Sequence, residues 1–177
     1  MAAESPDARV LLQMTGGFGS SGSVDLFREA QVGVDVRRTV SLLAAVCLIA
    51  PVTEEIFFRA GLFRPIRDAI AGTARPGSRR AWLAALLGLL VGGLAFLEAH
   101  QGNPAVLVLY FVLAAFFTGA YLATGSLTGP VVAHAVNNVA ATTMTLIKMG
   151  DVPAWVFVLP PAGLLLSIAV SVACGRF

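Results

Sequence analysis

The sequence predicts an all-α fold, a multi-pass transmembrane helical bundle of about five membrane helices. Three features lead to it. Of 177 residues, 57% are hydrophobic and only 12% charged, about half the charge of an ordinary soluble domain. The mean hydropathy is +0.82. From Ala81 to the C-terminus the only charged residues are Glu98, Lys148, Asp151 and Arg176. These features exclude a disordered chain and a soluble globular domain. The same composition argues against a nucleic-acid binder with a basic face, the net charge of +2 says little about partners, and the apolar stretches make the bilayer the expected one.

The chain divides into a polar N-terminal segment, 1–38, and a membrane-embedded region, 39–177. The first segment carries Arg9, Arg28, Arg37 and Arg38 against Glu4, Asp7, Asp25, Glu29 and Asp35. Its Gly/Ser run over 16–23 reads as a flexible loop, and 24–37 as a short interfacial helix. No basic stretch followed by an apolar one marks a signal peptide.

A helix needs about 20 apolar residues to cross a bilayer. The first candidate starts at Thr39, runs apolar to Thr53, and then meets Glu54, Glu55 and Arg59. Residues 81–97, extendable to His100, form the second, and 105–124, 127–147 and 152–173 the other three. Pro160 and Pro161 fall inside the last and are expected to kink or break it. Gly88 with Gly92, and Gly119 with Ala123, are small-residue pairs that let helices approach closely. The segment 64–80 holds five arginines against Asp68 alone, which places it in the cytoplasm by the positive-inside tendency. Arg37 and Arg38 pull the other way. Cys47 and Cys174 have neither metal nor redox spacing and read as buried small residues.

Polar groups are costly in these helices. Glu54, Glu55 and Arg59 would together cost on the order of 8 kcal/mol if unpaired. Glu55 and Arg59, four apart, share a helix face and can pair. Glu54 is rotated about 100° from Glu55 and has no local partner. Phe96 and His100 are four apart, as are His134 and Asn138, and these are the only histidines. An unpaired carboxylate, two imidazoles and an amide are the parts of a hydrolytic site. The same residues also suit an interfacial salt-bridge network or a proton relay.

Glu54-Glu55-x-x-x-Arg59, Phe96-x-x-x-His100 and His134-x-x-x-Asn138 resemble, in order, the three motifs of the CPBP family. That family groups CAAX prenyl proteases of the Rce type, bacteriocin-processing and self-immunity proteins, and abortive-infection-like membrane proteins. The resemblance covers about residues 39–147. It implies an intramembrane endopeptidase acting on a membrane-associated protein or peptide. By that resemblance Glu54 and His100 activate a water, and His134 and Asn138 stabilise the oxyanion. Glu55 and Arg59 position the site through their ion pair, and Phe96 packs on the histidine. A carboxylate stripped of water is a stronger base, and donors aimed at developing charge gain strength in a dry site.

No cofactor is favoured. A divalent metal such as zinc, on Glu54, His100 and His134, is the alternative. The HExxH helix of common zinc proteases is absent, and an amide is a poor zinc ligand. Other functions are a non-catalytic membrane immunity or scaffold protein, and a small proton-coupled transporter, which the lack of internal repeats opposes. The family usually has two or more helices before its first motif, where here only segment 1–38 precedes it. Glu98 points away from His100 and reads as an interfacial charge, and Asn137 is out of register with His134.

Depth sets a test. Around a turn centred on Gly77, Glu54 and His100 each lie 23 residues away and are level. His134 comes soon after a turn near Gly125–Leu127. Straight ideal helices would leave it about 20 Å or more from His100. The resemblance therefore requires broken, tilted or unequal helices.

Overall fold

The computed structural model describes residues 21–100 and 104–174, and the side chains of 24–100 and 107–173. Every regular element among them is helical. In chain order they are α1 (Ser21–Glu29), α2 (Val36–Ala71), α3 (Arg79–Ala99), α4 (Pro104–Thr124), α5 (Thr128–Met149), a 3₁₀ turn (Ala154–Val158) and α6 (Leu159–Cys174). Four helices are long and apolar enough to cross a membrane: Val36–Ala71, Arg79–Ala99, Leu107–Thr124 and Ala154–Ala173. The expected fifth, α5, falls short because it carries the polar residues that face inward, with His134, Asn138, Thr142 and Thr145 all buried. Its polarity serves the bundle interior, where α5 packs on α2, α4 and α6. Exposed Leu86, Leu90 and Leu94 on α3, Val108, Val112 and Phe116 on α4, and Leu165 and Val172 on α6 give the outside the apolar surface a bilayer requires. The chain is a helical membrane protein.

The N-terminal expectations need revision. The interfacial helix read over 24–37 is instead α1, ending at Glu29, with Arg37 already in α2. Leu26, Phe27, Ala30 and Val32 bury against Leu42, Leu43 and Val46 of α2, Leu146 of α5 and Val156. α1 is thus a packed element of the core. Of the Gly/Ser run, residues 21–23 begin α1 and the rest lies outside the described residues, as do Arg9, Glu4 and Asp7. The Asp35 side chain caps α2 by accepting from the Arg38 N–H at 3.0 Å. Cys47 is buried and free.

α2 is longer than expected at both ends and is not uniformly α-helical. Two π-helical segments, Ala45–Ile49 and Ile56–Phe63, flank the α-helical turn that carries Glu54 and Glu55. Pro51 accounts for the disturbance at the first. It has no N–H to give a carbonyl of the preceding turn, Val46 in the five-residue register of this segment or Cys47 in the α-helical one. Side chains of other helices donate to both, Asn138 Nδ2 to the Val46 carbonyl and the Ser167 hydroxyl to that of Cys47, each at 3.0 Å. π-Helical insertions and prolines are recognised causes of helix irregularity, and π segments recur at functional sites.

α6 shows the opposite outcome for prolines. Pro160 and Pro161 do not break the last helix, because they occupy its first turn after a 3₁₀ turn. There the missing N–H groups cost nothing.

Close helix contacts follow glycines, with one correction. Gly88 and Gly92 are buried on α3, and a Cβ on Gly88 would meet the Phe63 ring at 3.0 Å. The Gly119 and Ala123 pair is exposed, and among the described residues nothing lies within 4 Å of a Cβ added to Gly119. Gly163 on α6, unremarked in the sequence, makes the tightest crossing with α2, where an added Cβ would lie 2.8 Å from Cys47 Cβ. Gly163→Ala is expected to destabilise the protein by about 1–3 kcal/mol through overpacking. Gly119→Ala, with nothing within 4 Å of the new methyl group, is expected to be neutral or slightly stabilising through helix propensity. Thermal midpoints of the two variants in detergent check both signs.

The depth problem is resolved by helices of unequal reach. Gly125, which follows α4, shares a small pocket with Arg64, Arg67 and Asp68. The α4–α5 turn therefore meets α2 before α2 ends at Ala71. The α2–α3 hairpin runs on past it, held by Arg80 Nε donating to the Ile70 carbonyl at 2.8 Å. His134 needs only two turns of α5 to reach the level of Glu55.

Candidate active site

Consecutive residues Glu54 and Glu55 have opposite surroundings. Glu55 is fully buried, while Glu54 is partly buried and lines a cavity of about 540 Å³. The cavity lies between the first half of α2, α4 from Leu109 to Phe117, and α5 from His134 to Lys148. Its lining includes apolar side chains that also reach the exterior, such as Ile49, Leu109 and Met144.

The i, i+4 expectation for Glu55 and Arg59 holds. Arg59 Nε lies 2.9 Å from Glu55 Oε2, with both side chains at most 2% exposed. The pair is more embedded than spacing suggested. Arg59 Nη2 donates to the Ala114 carbonyl at 3.0 Å, and the guanidinium lies 5.7 Å from the Phe96 ring centre and 5.4 Å from that of Phe117. Two aromatic faces and one backbone acceptor thus replace water around a buried cation.

Glu55 has a second partner, His134, whose Nδ1 sits 2.8 Å from Glu55 Oε1. An ionised carboxylate only accepts, so Nδ1 carries the hydrogen and Nε2 faces the cavity. The buried chain Arg59–Glu55–His134 therefore sets both the tautomer and the direction of this imidazole. Phe117 fixes its plane, stacking on it at 4.7 Å with 15° between the rings.

His100 is held in a similar way by different means. It follows α3 at the C-cap, and its Nδ1 donates to the Phe96 carbonyl at 2.8 Å. Phe96 also stacks on its ring at 4.1 Å, and Tyr110 lies 4.9 Å away on another side. Phe96 thus packs on the histidine, the contact that the resemblance implies, and also faces Arg59.

The two imidazoles converge on one atom. His100 Nε2 is 3.5 Å and His134 Nε2 is 3.8 Å from Glu54 Oε2. That oxygen is buried and accepts no hydrogen bond from the described residues. With both Nδ1–H groups committed, three acceptor atoms face one another across a gap wider than a direct hydrogen bond. Such an arrangement is completed by a proton or a water molecule. The metal alternative requires Glu54, His100 and His134 as joint ligands. Among the described residues, no group of three or more His, Cys, Asp and Glu side chains is arranged to hold a metal ion.

Asn138 lines the cavity in register with His134, but its amide is committed elsewhere. Its Nδ2 donates to the Val46 carbonyl at 3.0 Å, and its Oδ1 accepts from Asn137 Nδ2 at 3.3 Å. Val46 lies in the first π-helical segment, so Asn138 ties α5 to the irregular part of α2. One of its two amide hydrogens remains available. Asn137, set aside in the sequence, also lines the cavity. Glu98 is exposed, on the side of α3 away from the site, as expected.

Several contributors had no signal in the sequence. The Ala114 and Val46 carbonyls are backbone groups and leave no trace in residue type. Phe117 and Tyr110 stand in an apolar run where any aromatic would pass as lipid-facing.

A family model described as type II CAAX prenyl endopeptidase, Rce1-like, matches residues 37–140, more than half of the chain and all three motifs. No curated protein and no solved structure matches.

Proposed function

Because this chain belongs to the Rce1-like family of type II CAAX prenyl endopeptidases, we propose that it cleaves peptide bonds inside the membrane with a water activated by Glu54. The observation that carries this reading is the meeting of His100 Nε2 and His134 Nε2 at Glu54 Oε2, at 3.5 and 3.8 Å. A water between Glu54 and His100 donates one hydrogen to each. Glu54 takes its proton as the oxygen attacks the peptide carbonyl. With a second hydrogen taken up on Nε2, His134, held by Glu55 as an orienting carboxylate holds a catalytic imidazole, donates to the developing oxyanion. The uncommitted N–H of Asn138 adds a second donor. Glu54 then passes its proton to the leaving amine, and the bond between carbonyl carbon and nitrogen breaks.

The substrate is a membrane-associated protein or peptide whose extended segment enters the cavity from the bilayer. The proposed setting is the cell membrane with the 64–80 segment in the cytoplasm, where its arginines match the positive-inside tendency. No step is assigned to a metal.

The purified protein, reconstituted in lipid and given a peptide library, tests this reading. The wild type is expected to produce fragments at the same rate with and without chelator. His100→Ala is expected to slow cleavage by about 10²–10⁴-fold, the range for losing a general acid–base group. Complete inhibition by chelator, reversed by added zinc, would overturn the metal-free mechanism while keeping the protease.

A further inference from the structure

We propose that the pocket between the C-terminal end of α2 and the α4–α5 turn binds the phosphate of an anionic lipid headgroup. It is separate from the catalytic cavity and does not rest on the protease reading. The pocket encloses about 220 Å³ and is lined by Arg64, Arg67, Asp68, Tyr121, Leu122 and Gly125. Its cations come from one face of α2 at i and i+3, and its far wall from the end of α4. Unequal helix reach creates it, since the α4–α5 turn stops short and leaves the side of α2 uncovered.

The simplest alternative use of these arginines is to pair with Asp68. Arg67 does so, with Nε at 2.7 Å and Nη2 at 2.6 Å from Asp68 Oδ1. Arg64 is left at 3.7 Å from the other carboxylate oxygen, with about half of its side chain exposed. One carboxylate thus faces two guanidinium groups, and the pocket keeps an excess positive charge. The Arg67 guanidinium is fixed further by the Phe63 ring, 5.6 Å away. Arg75, Arg79 and Arg80 stand exposed on the adjoining turn and start of α3 and add to the field. A guanidinium presents a planar fork that suits phosphate oxygens.

Depth favours a lipid as the source of the phosphate. Trp82 is 68% exposed on the first turn of α3, and Arg80 bonds the Ile70 carbonyl, which sets this turn beside the end of α2. Exposed tryptophans concentrate at the membrane–water interface. The apolar α3 surface begins with Leu83 and Leu86 on the side toward the bilayer. The pocket is therefore at headgroup level, where basic pockets between helices take anionic lipids.

Extraction from phosphatidylcholine vesicles containing phosphatidylglycerol, followed by native mass spectrometry, counts retained lipid. The wild type is expected to retain phosphatidylglycerol in preference to phosphatidylcholine. Retention is expected to fall about fivefold for each arginine removed in Arg64→Gln/Arg67→Gln. Arg75→Gln/Arg79→Gln removes the same charge outside the pocket and is expected to change little. An equal fall in both pairs means a diffuse field and overturns the proposal, as does equal retention of the two lipids. Binding of inorganic phosphate to the lipid-free protein, lost in the same double variant, would keep the phosphate site and reassign its source to a soluble ion. Should the Gln pair lose its helical circular dichroism, Arg64→Lys/Arg67→Lys replaces it. That pair keeps the charge but not the fork, and unchanged retention there would overturn a built site.

Discussion

Glu54→Gln is expected to abolish cleavage while leaving the fold intact. The substitution keeps size and hydrogen-bonding capacity but removes the base, so the rate should fall by about 10²–10⁴-fold. The effect on stability should be small or favourable. Glu54 Oε2 is buried without a hydrogen bond from the described residues, and a neutral amide relieves an acceptor crowded by two imidazole nitrogens. Cleavage of a reconstituted substrate and thermal unfolding of the same preparation separate the two quantities. Full activity in this variant would remove Glu54 from the mechanism while keeping the protease. Loss of fold together with activity would make Glu54 structural.

Arg59→Met is expected to be the most damaging single change to stability, costing about 3–5 kcal/mol, because it leaves Glu55 as an uncompensated buried charge. The loss also reaches the site, since Glu55 orients His134 through Nδ1 at 2.8 Å. Arg59→Lys should recover little. A lysine has neither the fork that meets Glu55 and the Ala114 carbonyl together nor the flat face that lies between Phe96 and Phe117. Glu55→Gln/Arg59→Met removes both charges and should regain much of the lost stability without regaining activity. Denaturant unfolding of the wild type, Glu55→Gln, Arg59→Met and the double variant in detergent closes the cycle. Additive losses would show that the two residues do not act as a pair.

The three-motif pattern was legible because membrane helices make polar residues conspicuous. Where nearly every neighbour is apolar, Glu54, Glu55, Arg59, His100, His134 and Asn138 stand out, and i, i+4 spacing pairs them along a face. The roles within the pattern were less legible. Spacing joined Glu55 to Arg59 but could not show that Glu55 also reaches His134 from 79 residues away. Asn138 was assigned to an oxyanion, yet one of its N–H groups serves the Val46 carbonyl. That acceptor is in a π-helical segment beside Pro51, and helical irregularity of this kind has no residue code beyond the proline itself.

The sequence by itself determined the class of molecule, the helices and the identity of the polar residues, because hydropathy over about 20 residues and helical periodicity are local properties. α5 is the least apolar of the long helices because its polar residues His134, Asn138, Thr142 and Thr145 turn inward, and which way they turn depends on what surrounds the helix rather than on its composition. Tertiary structure alone decided how the motifs meet. Straight helices would keep His134 far from His100, whereas the early α4–α5 turn and the longer α2–α3 hairpin bring both to Glu54 Oε2. Helix termini in depth are set by packing between elements distant in sequence, and no window of the chain contains that information.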